Sequence, residues 1–429
     1  MLLAHYYTID SAKKSVRIGL AVYFFLLIFE GALRKWVLTD LSTPLLLIRD
    51  PIAIFILFTA WRNGLLIWNN YVFVIVVLCI VSFFSAILIG HGNLLVALYG
   101  LRIYLIHFPL IFVIEQVYSR DQIMHIVKWM IILSIPMLVL IIWQFYSPQS
   151  AWVNRGVGGD VAGAGFTGAL GYYRPPGTFS FTNGLSTFFA LATPLSLYAL
   201  IKPTGLKRWL ELLAFCCILL SIPFSISRYL YFQSIITFIF LMVATVRNTK
   251  LFLYQIFAII FVISLYLFTN LNSDLSTGIK VFKTRFENAN ESEGGVKGLL
   301  LDRFVGGSIE ALTSSDQISF FGAGVGLGTN VGSQLSLGTR KFIISEGDWG
   351  RIIGEMGPLI GLLLIGLRVL VSIKILSNAY RQLSTDNILP WLLSSSVVLL
   401  FAQGQWGQPT AMGFSVFFTG LALAAIKES

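Results

Sequence analysis

The sequence predicts an all-α integral membrane protein of about 12 transmembrane helices, with one long external loop containing short amphipathic helices. Three observations predict it. The 429 residues are 56% hydrophobic, with a mean hydropathy of +0.80. Charged residues are 12% of the chain, where a soluble domain carries about 25%. Apolar runs close to the roughly 20 residues that cross a bilayer recur from one end to the other. A soluble fold could not bury that much apolar surface, and the 35 Phe suit helices that face lipid.

The expected spans are 17–36, 44–61, 71–90, 96–117, 124–146, 178–200, 209–227, 229–246, 251–269, 351–375, 388–404 and 409–426. The first follows Lys13, Lys14 and Arg17. No small-residue cleavage site comes after it, so it reads as a retained helix. The run 209–246 is divided at Ser225-Ile226-Ser227-Arg228, because an arginine at mid-span is costly. Gly404, Gly407 and Pro409 interrupt the last two spans, which read as two crossings or as a re-entrant hairpin. Residues 1–429 form a single polytopic domain, with a large extracytoplasmic loop, 270–350, between helices 9 and 10. Cys79, Cys216 and Cys217 lie in apolar runs and indicate neither a disulfide framework nor a metal site. The net charge of +10 is not clustered as a nucleic-acid site would be.

Lysine and arginine in short loops set orientation. With the N-terminus inside, the segments at Arg62, 120–128, 202–208, 247–250 and 374–381, and Lys427, are cytoplasmic, and both termini are inside. Fifteen Lys and Arg then lie inside, against eight outside once the seven of the long loop are set aside. The inner set is 8 Lys and 7 Arg, the outer set 5 Lys and 10 Arg. Arginine holds phosphate or carboxylate with two parallel hydrogen bonds. An arginine-rich outer face therefore points to an anionic ligand there, or to interfacial and structural ion pairs.

Five local sequences stand out. Glu30-Gly-Ala-Leu-Arg34-Lys35-Trp36 ends the first helix, and Arg49-Asp50 begins the second; their spacing favours a structural salt-bridge cluster. Arg102 lies a turn or two into the fourth helix and must face protein or a polar cavity, whereas His107 reads as a packed, satisfied residue. The glycine-rich segment 154–177 leads into Arg174-Pro-Pro-Gly-Thr-Phe-Ser-Phe-Thr-Asn183, an arginine just ahead of a helix start, where anions are favoured. Ser225-Ile-Ser-Arg228 makes a short polar turn. In the long loop, 270–298 is polar and 299–312 has amphipathic spacing. Phe321-Gly-Ala-Gly-Val-Gly-Leu-Gly follows, then Ser345-Glu346-Gly-Asp348-Trp-Gly-Arg351-Ile-Ile-Gly-Glu355. That glycine run lacks the strand and βαβ setting of a dinucleotide site. Gly350, Gly354, Gly357 and Gly361 would give the tenth helix a close-packing face, and Arg351 is spaced to pair with Glu355.

In this order the motifs resemble the O-antigen ligase and O-antigen polymerase superfamily of bacterial membrane glycosyltransferases. The features are Arg-x-x-Gly-Thr-x-x-x-x-Asn (Arg174 to Asn183), Ser227-Arg228, a long loop with Arg303 then Gly322-x-Gly-x-Gly, and Glu355-x-Gly357. The resemblance implies transfer of a glycan from an undecaprenyl-diphosphate donor to an acceptor sugar or lipid, inverting and without a metal or other cofactor, at the outer face of the bacterial cytoplasmic membrane. It implies that arginines hold the diphosphate, with Arg174, Arg228, Arg303, Arg102 and Arg351 as candidates. The family often has a loop histidine as base. Here the matching position holds Glu346, with Asp348 nearby, and a partly buried carboxylate can serve as base. The alternative for Glu346 is to cap the tenth helix or pair with Arg340 or Arg351, and His91 is a lesser substitute base. The rival functions are a transporter or flippase of an anionic lipid-linked substrate, and a non-catalytic envelope-assembly scaffold.

Overall fold

A computed structural model of the chain describes residues 2–247, 273–292, 320–337, 345, 347–385 and 387–427, with isolated positions between 251 and 267. The described chain is predominantly helical, with almost no strand. The helices are α1 (Leu2–Ala32), α2 (Arg49–Arg62), α3 (Asn70–Leu88), α4 (Leu94–Arg102), α5 (Leu110–Val117), α6 (Arg120–Tyr146), α7 (Thr182–Ile201), α8 (Arg208–Ser225), α9 (Arg228–Arg247), α10 (Ser273–Ser292), α11 (Asn330–Leu337), α12 (Asp348–Gln382), α13 (Leu389–Gln403) and α14 (Pro409–Lys427). π-turns at Leu33–Val37 and Ile103–His107 extend α1 and join α4 to α5. Ten helical stretches among the described residues are long and apolar enough to cross a membrane, the architecture of a multi-pass membrane protein.

Local sequence sets several boundaries. Asn69 accepts from Val72 N to begin α3, and Asn93 accepts from Leu95 N and Val96 N to begin α4. Ser227 Oγ accepts from Leu230 N at the start of α9. α7 is the central helix: every residue from Gly184 to Ile201 is buried. Hydroxyls within it return to its own carbonyls, Thr193 to Phe189 O and Ser196 to Thr193 O, so these buried groups are satisfied without water.

The connecting segments gather at the two ends of the bundle. At one end Gly158 N donates to Arg34 O and His91 N to Ala323 O, and Asn183 reaches Gln405 and Gln408. At the other, Lys427 meets Gln116, Asn387 meets Ala425 O and Arg247 lies over Tyr380. These two groups match the two sides that the lysine and arginine distribution separates. Arg247 ends α9 at the second end, and Gly278 of α10 packs on Phe224 at the first. The expected span 251–269 falls mostly outside the described residues, as does the amphipathic stretch 299–312.

Three expectations change. The polar stretch 270–298 contains a helix, α10. Gly278, Phe282 and Phe286 recur every fourth residue, and the two rings pack on Tyr231 and Phe232. Its charge density hid that narrow apolar stripe. Second, the tenth span is not one straight helix. Gly357 has φ +79°, outside the helical region. Residues 348–356 and 358–382 fold back on each other as two arms: Asp348 and Arg368 form an ion pair of 2.5 Å, whereas 20 residues of straight helix would separate them by about 30 Å. Gly357 is therefore a hinge and not part of a packing face, while Gly361 lets the arms approach, since a Cβ there would lie 2.9 Å from Ile353 Cα. Third, α13 has 15 residues, about 22 Å, short of a ~30 Å hydrocarbon layer. The turn after it descends to meet Asp348 and Arg368.

Candidate functional site at the loop-rich end

The fold-back of α12 creates a problem that the glycine run solves. A helix ending at 356 leaves carbonyls without partners. Ala323 N donates to Gly354 O at 2.8 Å and Gly324 N to Glu355 O at 2.9 Å. Gly322, Gly324 and Gly326 all have positive φ, which glycine adopts without steric cost. A Cβ on Gly322 would lie 2.4 Å from Glu355 O, and one on Gly326 2.2 Å from Val96 O. His91 ties the run to α3: its Nε2 is 3.2 Å from Val325 O and its Nδ1 accepts from Asn93 N. Both ring nitrogens are engaged in holding the loop, which leaves no free nitrogen for work as a base.

Beneath this run lies a buried ionic network. Asp348 Oδ1 accepts from Arg351 Nε at 3.0 Å and Nη2 at 2.8 Å, and from Trp406 N at 3.1 Å. Its Oδ2 accepts from Arg368 Nη1. Glu355 accepts from Arg351 Nη1 at 2.8 Å and from Gly328 N at 2.8 Å. Arg368, wholly buried, also donates to Phe401 O and Gly404 O and lies over the Trp406 ring. Two carboxylates and two guanidiniums balance, which is the condition under which charge can be buried. Arg351 and Glu355 pair as their spacing predicts.

Above the network lies a small cleft that opens to solvent, with a free volume of about 10 Å³, room for about one water molecule. Thr329, Asn330, Ser345, Gln405 and Gln408 wall it, and Asp348 and Arg351 form its floor. The walls are neutral hydrogen-bonding groups and the floor charges already face each other. Asn183, closing the Arg174–Asn183 motif, donates toward Gln405 and Gln408 at 3.4 and 3.3 Å.

Arg174 is not at a helix start as the sequence suggests: it stands on a small β-hairpin, β1 (Phe166–Thr167) with β2 (Tyr173–Arg174), in which Phe166 faces Arg174, and α7 begins only at Thr182. Tyr172 stacks on Phe145 at 4.5 Å, and Phe145 packs edge-on to Phe224. Gly168 sits so close to Ile226 that a Cβ would come within 2.7 Å of it. The hairpin is thus docked on the Ser225–Arg228 turn. Ile226 takes φ +50° there, a conformation that costs a β-branched residue of order 1–3 kcal/mol. Arg228 is largely buried in the first turn of α9.

The charges at the ends of α1 and α2 form two joined groups. Glu30 pairs with Arg34 at 3.3 Å and Arg49 at 3.0 Å, as the spacing favours. Arg102 donates to both oxygens of Asp50, at 2.7 and 2.6 Å. His107 Nε2 is 3.0 Å from Asp50, and its Nδ1 is 3.1 Å from Tyr23 Oη. Arg102 and His107 are therefore partners of Asp50 in the core. Lys35 Nζ donates to Gly177 O at 2.6 Å, Arg34 Nη1 to Ser180 Oγ at 3.0 Å and Thr178 Oγ1 to Ile28 O at 2.7 Å. Much of the outer arginine excess is thus spent on internal pairs: Arg34, Arg49, Arg102 and Arg351 all meet carboxylates.

The predicted site residues therefore fall into three sets. Arg174 and Arg228 stand on two packed segments at one end of the bundle. Asp348 and Arg351 are joined under the cleft, with Asp348 saturated by arginines, and Arg102 is apart, bound to Asp50. Glu346 and Arg303 lie outside the described residues, although Ser345 and Gly347, the neighbours of Glu346, border the cleft. Arg368 and Trp406 were not singled out from sequence. The available signal was an arginine within the apolar run 358–375, which must face protein. No protein-family model and no curated protein matches the chain.

Proposed function

We propose that the protein is a polysaccharide polymerase or ligase that transfers a glycan from an undecaprenyl-diphosphate donor to an acceptor sugar at the outer face of the cytoplasmic membrane. The observation that carries this reading is the course of residues 166–183. This one segment packs on the Arg228 turn, carries Arg174, and ends with Asn183 at a cleft walled by neutral amides and hydroxyls. Such walls suit sugar hydroxyls, and Arg174 on the hairpin with Arg228 at the start of α9 would suit a diphosphate.

In the reaction an acceptor hydroxyl attacks the anomeric carbon from the face opposite the leaving group. The new C–O bond forms as the bond to the lipid diphosphate breaks, inverting the centre. Arg174 and Arg228 offset the charge that develops on the diphosphate, and a carboxylate takes the hydroxyl proton. Asp348 is held by two arginines, so Glu346 is the better base.

Arg174→Ala and Arg228→Ala test the reading. In cells that express the variants at normal level, each should reduce surface polymer at least tenfold on a gel. Undiminished polymer from both would remove the proposal. In a deletion strain, single units without long chains mark a polymerase, and lipid-linked polymer that never reaches its acceptor marks a ligase.

The broken helix α12 favours a second reading, a transporter of an anionic lipid-linked substrate, because transporters build sites from interrupted helices. Against it, Arg368 fills the carbonyl end of α13 with a fixed charge, where such a site would recruit a coupling ion. Ion-dependent substrate flux in proteoliposomes would bring the transporter reading forward.

A further inference from the structure

Two motifs about 150 residues apart in sequence meet at residues 177–180. Gly31 faces residues 178–180 so closely that a Cβ would sit 2.3 Å from Ser180 N. Ile28 O, Arg34 and Lys35 bond Thr178, Ser180 and Gly177 in turn, and Gly158 N donates to Arg34 O. Trp36 stacks on Trp152 at 5.4 Å. Lys35 is fully buried, and its Nζ donates to the Gly177 carbonyl oxygen. The Gly177 carbonyl and the Trp36 ring, 4.6 Å from Nζ, are the partners that make this burial tolerable. Gly177 is also held by Gln144, whose amide donates to Gly177 O and accepts from Gly177 N. Gly177 takes φ +60° at the end of Arg174-Pro-Pro-Gly. Its pinning fixes where the two prolines, with their restricted φ, direct Arg174. The π-turn Leu33–Val37 presents Arg34 and Lys35 to the loop.

We infer that Glu30–Trp36 is a clamp that positions the Arg174 loop, with Lys35 as its main positioning residue. This rests on the proposed function for its consequence, a correctly aimed diphosphate-binding arginine, but not for its geometry. The clamp grips residues 177–180, and its expected effect is on donor binding through Arg174.

Two measurements on the full-length protein in detergent test it. The first is backbone hydrogen exchange. Lys35→Met should speed exchange of residues 177–180 at least tenfold and leave α13 and α14 unchanged. Unchanged exchange at 177–180 in the folded variant overturns the clamp whatever the protein's activity. The second is polymer synthesis in membranes with lipid-diphosphate-linked oligosaccharide as donor. Lys35→Met should raise the donor KM about tenfold with kcat within threefold, and Lys35→Arg, which keeps a donor on the same stem, should recover part of it. A fall in kcat alone, or no change beside accelerated exchange, overturns the positioning role. Should Lys35→Met not fold, Gly31→Ala displaces the same loop and is read by the same exchange. A wild-type protein that neither binds nor consumes the donor refutes the proposed function, and the exchange result still decides the clamp.

Discussion

Arg368 shows how one buried charge organises its surroundings. It donates to Asp348, Phe401 O and Gly404 O, so it fastens the re-entrant arm of α12 and the end of α13 to one point. Removing one member of a buried pair leaves the other charge unmatched, at about 3–5 kcal/mol. Arg368→Met should therefore lower thermal stability in detergent strongly. The double variant Arg368→Met with Asp348→Asn should recover much of the loss, because the unmatched charge goes too. Equal melting of Arg368→Met and wild type would sink this account. Gly413 plays a quieter part. A Cβ there would lie 2.2 Å from Arg49 Nη1, so glycine makes room for the guanidinium that pairs with Glu30.

At the scale of elements, the hinge and the glycine run depend on one another. Gly357 has φ +79°, and a Cβ there would fall 2.1 Å from Phe320 O. The run caps the arm that the hinge turns back. Gly357→Ala should destabilise by more than the 1–3 kcal/mol of backbone strain alone, since it also displaces Phe320. Gly326→Ala should act similarly through Val96 O. By contrast Gly366→Ala, where a Cβ meets nothing within 4 Å, should be neutral or slightly stabilising. Unfolding temperatures of the three variants in one detergent check the order, and a Gly366→Ala as damaging as the other two would contradict it.

For the whole molecule, the two groups of connecting segments predict opposite sides of the membrane. With the native cysteines replaced, Trp152→Cys should react with an impermeant maleimide in intact spheroplasts. Arg62→Cys and Lys427→Cys should react only after permeabilisation. Labelling of Trp152→Cys and Lys427→Cys from the same side would refute the topology. The sequence by itself determined the all-α membrane class, most span positions, the separation of the two sides and the local pairs Glu30–Arg34 and Arg351–Glu355. These follow from apolar length, basic-residue bias and i,i+4 spacing, all read over a few residues. Only the tertiary structure decided that α12 doubles back at Gly357, that Arg102 belongs to Asp50 and that the Glu30–Trp36 motif grips residues 177–180. The physical reason is the cost of burying charge: each buried guanidinium, ammonium or carboxylate needs a partner. Hydropathy shows that such a group must be satisfied, but the partner lies tens to hundreds of residues away and only packing selects it.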